Sequence, residues 1–303
     1  MFKVLILQSL YTLSDDQTEF QIRDRLSFQR FLGIGINDPV PDATTIWLFR
    51  EHLTRAGAVE KLFRHFDGLL KASRPRAIWR CRDRSSMPAW CVRRAGISTM
   101  ARRRRSRPAK RQPGSGPIIP PKAAQKDTDA RWTVKFSKAK PAEDDNKRLV
   151  DIAIPVFGYK SHIGIDRRHG LIRTWLVTDA AAHDGARLRE GLIDPTNAAS
   201  PVWADTAYRS AANEAFLTGR GKTSPIHRKK PKGRPMPRRM ARANARKSAV
   251  WSGIEHVFAA QKGAMDLVIR TIGIARARTR IGLANLAYNM KRLAWLERQL
   301  APA

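Results

Sequence analysis

Val202-Trp203-Ala204-Asp205-Thr206-Ala207-Tyr208 is an apolar run that ends on a carboxylate, and it reads as a short buried strand over Pro201–Ala207. Upstream, Leu149–Phe157, Tyr159–Asp166 and Leu171–Asp179 read as three successive strands, the second and third turning at Arg168-His169-Gly170. Downstream, Ser210–Leu217 reads as a helix and Thr223–Ile226 as a fifth strand. Then come an arm with ten basic and no acidic residues over Arg228–Lys247, a helix over Ser252–Lys262 and a long helix over Thr279–Leu300. The last of these lines Leu283, Leu286, Met290, Leu293 and Leu296 along one face. Strands followed by alternating helices predict an α/β fold with a mixed sheet flanked by helices.

The first 72 residues carry a different pattern. Gln17–Leu32 sets Phe20, Ile22, Leu26, Phe28 and Phe31 among charges at helical spacing, Asp42 is placed to cap Ala43–Leu53, and Val59–Leu70 is amphipathic. A helical N-terminal region follows, read equally well as a plain bundle or as a DNA-binding unit.

Composition bounds the partner. Fifty-eight Lys and Arg against 26 Asp and Glu give a net charge of +32 over 303 residues. Such an excess suits a polyanion, because a basic surface gains free energy by releasing the counterions condensed on phosphates. No stretch approaches the 18 uninterrupted apolar residues of a membrane span, and the basic arm lacks the aromatic face of an interfacial helix. The expected partner is double-stranded DNA, with no membrane. A basic RNA- or ribosome-associated protein is the rival, although no stacking-aromatic module is visible. Cys81 and Cys91 lack a nearby His set for zinc and read as free thiols, and no signal peptide precedes them. The expected location is cytoplasmic, on the nucleoid.

Two carboxylates and one cationic arm carry the chemistry. Asp205 closes a strand, and Glu255 sits on a helix with Lys262 two turns further along the same face. Between them Arg228, Lys229, Lys230, Lys232, Arg238 and Arg239 are candidate phosphate contacts. That arrangement suits metal-dependent cutting and joining of DNA. Singly, each residue has an ordinary explanation: Asp205 as a helix N-cap, Glu255 and Lys262 as a solvated helix face, His162 and Asp166 as a polar strand face, His183-Asp184 as a turn or cap, the arm as a solvated loop.

From Gln125 to the C-terminus the chain resembles insertion-sequence transposases with an RNase H-like DDE catalytic domain. The resemblance is carried by Phe157-Gly158-Tyr159-Lys160-Ser161-His162-Ile163-Gly164-Ile165-Asp166, by Trp203-Ala204-Asp205-Thr206-Ala207-Tyr208, and by Gly253-Ile254-Glu255 through Lys262. Residues 1–72, with Asp42-Ala43-Thr44-Thr45-Ile46-Trp47, resemble the family's upstream helical region, and relatives begin further upstream, which implies a truncated amino end. The resemblance implies Asp205 and Glu255 as catalytic metal ligands for Mg²⁺ or Mn²⁺. It also implies terminal inverted repeats and target DNA as substrates, and a homodimer in the active state. In the family pattern Tyr-x2-Arg-x3-Glu-x6-Lys, Glu255 and Lys262 fill the last two positions, while Ser248 and Trp251 stand where Tyr and Arg belong.

The first catalytic Asp has no counterpart. Residues 73–124 hold fifteen basic residues and one acid, Asp83, which has no strand context. The genetic code suggests why. Read from each codon's third base, Ser85-Ser86-Met87-Pro88 permits Val-Asp-Ala if both serines are TCG, and Arg76 through Arg84 permit Gly-Tyr-Leu-Ala-Met-Ser-Gly-Gln-Ile. The same offset lets Ser115 through Lys122 encode Trp-Ala-Asp-Asn-Pro-Ala-Lys, directly before in-frame Gln125. These readings predict a helical region over 1–72, a frameshifted or disordered basic segment over 73–124 that adds no central strand, and a catalytic domain over 125–303 with a basic insertion at 227–247. They also predict a copy defective in chemistry, with a DNA-binding remnant that competes with active subunits as the alternative.

Overall fold

The computed structural model describes residues 1–72, 90–98, 126–137, 152–194 and 201–300, with the backbone alone for 90–98. Five helices open the chain: α1 Phe2–Tyr11, α2 Asp15–Asp24, α3 Leu26–Leu32, α4 Ala43–Arg55 and α5 Ala58–Ala72. Their starts are written locally. Ser14 and Gln17 form a reciprocal capping box ahead of α2, and Asp42 accepts the Thr45 amide at 2.7 Å ahead of α4. The single helix expected over Gln17–Leu32 is broken at Arg25, whose extended backbone (φ −108°, ψ 110°) ends α2 and starts α3.

Five strands form one mixed sheet: β1 Trp90–Ser98, β2 Arg131–Ser137, β3 Ile152–Asp166, β4 Ile172–Asp179 and β5 Val202–Ala204. The order runs β2-β3-β1-β5, with β4 also on β3; β1 and β5 are parallel and the other pairs antiparallel. The break expected between Phe157 and Tyr159 lies inside one long strand. Gly158 (φ 141°) marks the point where β3 exchanges its partner β2 for β1 and β4. Thr223–Ile226 makes only an isolated bridge, Pro201 to Thr223, rather than a fifth strand. β2 was not foreseen; it and the first half of β3 leave Trp132, Val134, Phe136, Ile152 and Ile154 exposed.

The expectation that residues 73–124 add no central strand is corrected, because β1 sits between β3 and β5. Both of those strands have backbone groups that need partners, and Trp90, Cys91, Val92 and Ile97 are residues that accept an extended chain. A segment without a legible period can still fill a slot that backbone pairing defines. Cys81, Asp83 and Ser85–Met87 lie outside the described residues.

The remaining elements are α6 Asp184–Arg187 running into a π turn at Leu188–Leu192, a 3-10 turn at Thr206–Tyr208, α7 Ala211–Thr218, α8 Arg238–Trp251, α9 Gly253–Lys262 and α10 Ile274–Leu300. Two apolar clusters lie against the sheet. The larger joins Val4–Leu7, Ile22, Ile46 and Phe63 to Tyr159, Ile163, Ile165 and Val177 and to Ile281–Ala287 of α10, so the N-terminal helices share a core with the sheet. The smaller joins Leu188, Leu192, Val202, Ala204, Tyr208, Leu217 and Ile226. The middle of α10 is buried all round, over residues 281–287, rather than along one face. Among the described residues no helix is long and apolar enough to cross a membrane.

α10 comes close to its neighbours at Gly282, where a Cβ would meet Val59 Cγ1 at 2.5 Å and the Trp175 ring at 2.9 Å. Gly282→Ala is therefore expected to destabilise. Overpacking costs about 1–3 kcal/mol, against about 1 kcal/mol gained in helix propensity. A urea midpoint that rises in the variant would contradict this packing.

Ionic contacts cross the same seam. Arg173 on β4 donates from Nε to Asp166 Oδ2 at 2.9 Å and from a terminal nitrogen to Asp67 Oδ1 of α5 at 2.8 Å. Asp67 Oδ2 then meets Lys71 Nζ at 2.9 Å, which meets Asp194 at 2.6 Å.

Candidate functional site

Asp205 follows directly on β5. Val202 and Ala204 are buried in the smaller cluster, and Asp205 is half-buried at its rim. One carboxylate oxygen accepts the Ala207 amide at 2.7 Å, so Asp205 caps the turn Thr206–Tyr208. The capping role expected of it alone is real, over a 3-10 turn rather than a helix. Tyr208 anchors the turn: it is buried, its hydroxyl lies 3.4 Å from His162 Nδ1, and His162 Nε2 lies 3.0 Å from Thr178 Oγ1.

His162 is therefore a bonded core residue, buried together with Ile163 and Ile165. Asp166 pairs with Arg173 and His169. Asp184 pairs with Lys160 Nζ at 3.3 Å, and Lys160 also donates to Ala182 O at 2.8 Å. His183 sits at the N-cap of α6 without a side-chain cap bond.

His227, which sequence reasoning passed over, ties the end of β5 to α8. Its backbone amide (3.2 Å) and its Nδ1 (3.0 Å) both meet Ala204 O, and its Nε2 lies 2.9 Å from Ser248 Oγ. A carbonyl only accepts, so Nδ1 carries a proton, and a neutral ring accepts from Ser248 at Nε2. The signal available beforehand was Ile226-His227, one apolar and one polar residue immediately ahead of the basic run.

α8 follows the sheet and α9 follows α8. α8 packs against β5 and α9 against β1, with Ile254, Val257 and Phe258 buried. Glu255 occupies the first turn of α9 and is half-buried; Lys262 is exposed at its last turn. Asp205 thus sits at the end of β5, and Glu255 lies on a helix that packs on the neighbouring strand β1.

The arm read as a loop is largely helix. Pro231, Pro235 and Pro237 stay in the lead-in, Pro237 takes the N-cap position, and the Arg- and Ala-rich stretch behind it has high helix propensity. Asn244 holds the lead-in on the helix by exchanging two 3.0 Å bonds with the Arg228 backbone. Arg228, Lys229, Lys230, Lys232, Arg238 and Arg239 are all exposed. Arg238, Arg242 and Arg246 follow at four-residue steps on one stripe, where like charges cost a few tenths of a kcal/mol per pair. Lys247 donates to Ile226 O at 3.0 Å; burial, then Arg209 and Arg228, depress the affinity of its amine for a proton. A polyanion would relieve that repulsion.

Hard divalent ions take oxygen ligands, and among the described residues no group of three or more His, Cys, Asp or Glu could hold a metal. In the parallel register Val92 pairs with Ala204, the last residue of β5 before Asp205.

Residues 127–290 match the family model described as the transposase DDE domain, and residues 1–52 match the transposase domain model DUF772. The first match covers over half of the chain, and its family cuts DNA and generally uses a divalent metal. The chain belongs to the DDE transposase family and is an insertion-sequence transposase. No curated protein and no solved structure matches it.

Proposed function

We propose that this chain binds duplex DNA through its basic helix and lead-in and has lost the strand-transfer step of its family. The exposed cation stripe beside the Asp205 and Glu255 elements carries this reading. The sheet, with a parallel β1–β5 pair and Asp205 at the end of β5, is compatible with an RNase H-like core. In that core Asp205 and Glu255 are the two remaining carboxylates for Mg²⁺ or Mn²⁺, with Lys262 facing the DNA. The codon offset at 73–124 supports the loss of the first acid and a double frameshift as its origin. The homodimer and the terminal inverted repeats belong to the same reading; a DNA-binding remnant that competes for transposon ends is the alternative.

Purified protein should bind duplex DNA with weak sequence preference and a steep loss of affinity with salt. Replacing Arg228, Lys229, Lys230 and Lys232 together by Gln should reduce the slope of log K against log salt by roughly 3–4, at about 0.9 per lost phosphate contact. An unchanged slope would remove this face from the interface.

A further inference from the structure

A cavity of about 290 Å³ lies away from Asp205 and Glu255, between the N-terminal helices and the start of α10. That is near the lower end of the roughly 300–1,000 Å³ usual for small-molecule sites. Its arginines fall into two kinds. Arg50 is bidentate to Asp15 (2.7 Å to each oxygen), and Arg276 is bidentate to Glu51 (2.8 and 2.9 Å), so both forks are occupied. Arg270 and Arg280 line the same cavity, and no described residue accepts a hydrogen bond from either guanidinium. Arg270 stands exposed and Arg280 is set deeper.

A second observation points into the same space. Thr271 lines the cavity, and its hydroxyl oxygen is buried without a hydrogen-bond partner. Arginine stays charged in proteins, and a buried polar group without a partner costs free energy that a ligand can recover. Burial first, then Arg50 and Arg270, work against the charge on Arg280, and Asp15 only partly compensates. An anion with several oxygens would answer both donors together, because a guanidinium fork matches a phosphate in two bonds.

We propose that this cavity is a phosphate-binding site, with Arg280 as the fork, Thr271 as a hydroxyl donor and Arg270 at the rim. The phosphate belongs either to a nucleic-acid backbone or to a free anion. The site needs neither metal ligands nor the basic helix, so its test stands apart from the DNA reading above.

The probe is inorganic phosphate, titrated into the full chain by calorimetry at low ionic strength. Saturable binding is expected, weakened roughly tenfold or more in Arg280→Gln, which corresponds to one charge-assisted contact. Thr271→Val should weaken it less, and Arg280→Lys should retain part of it. Arg270→Gln, at an exposed position, provides the same readout if Arg280→Gln does not fold. A short duplex then separates the sources. If the site holds a backbone phosphate, duplex displaces inorganic phosphate and Arg280→Gln lowers duplex affinity. If it holds a free anion, duplex and phosphate bind independently. Absence of saturable phosphate binding by the wild-type chain, or equal binding by folded Arg280→Gln or Arg270→Gln, would overturn the proposal.

Discussion

With Mg²⁺ or Mn²⁺ and its own transposon ends, the chain as written is expected to give no detectable strand cleavage or joining. A two-ion centre needs carboxylates that bridge the ions. The described residues offer two candidate acids, Asp205 and Glu255, and no group of three or more His, Cys, Asp or Glu that could hold a metal. On the proposed frameshift, rewriting the stretch in the offset frame, so that Val-Asp-Ala replaces Ser85–Met87, and returning Arg at Trp251 should recover activity. In that restored protein Asp205→Ala or Glu255→Ala should abolish turnover while duplex binding persists. Good cleavage by the unrepaired chain, or by either alanine variant of the repaired one, would show that the metal ligands lie elsewhere.

Arg173→Ala is expected to lower unfolding free energy by about 3–5 kcal/mol, the usual result of removing one partner from a buried ionic pair. The arginine is held between Asp166 and Asp67, with side chains only 6–9% exposed, so its removal takes away the cation the two buried carboxylates share and leaves Asp67 with Lys71 and Asp166 with His169. The wild type should also lose stability in acid. Burial raises the proton affinity of Asp166, but His169 and Arg173 together hold its carboxyl below the ordinary value. A depressed carboxylate contributes stability above its unfolded value of about 3.9, and that contribution is lost as pH falls towards the lower folded value. Equilibrium denaturation of wild type and Arg173→Ala at neutral pH and below pH 4 checks both. A variant within 1 kcal/mol of wild type would mean that solvent already screens the network.

Where a signal was local, the sequence showed it. Asp42 announced its helix, Arg168-His169-Gly170 turned the chain between β3 and β4, and Val202–Asp205 gave a strand ending on an acid. Long-range pairing decided the rest. β1 is held by two strands far from it in sequence, and nothing within Trp90–Ser98 reveals them. β2 alternates Trp132, Val134 and Phe136 yet leaves them exposed, so burial gave no guide. In α8 the charge run hid a helix, because a repeat of cations offers no apolar stripe from which to read the period. The His227 tie was invisible for a related reason: its two partners, Ala204 and Ser248, lie 23 residues before it and 21 after.

The seam between α1 and α10 bears on how the protein is born. The Thr12 hydroxyl donates to Met265 O across 253 residues of chain, and Val4–Leu7 pack in the same cluster as Ile281–Ala287. At about 5–20 residues per second of synthesis, the first helix waits on the order of tens of seconds for the last one to arrive. Throughout that interval the part of the Val-Leu-Ile-Leu surface that α10 covers stays open to chaperones or to other nascent chains, with only the neighbouring N-terminal helices to pack against. Ribosomes that stall before α10 is made would release a product without its core. Intact protein would then accumulate in proportion to completed translation rather than to initiation.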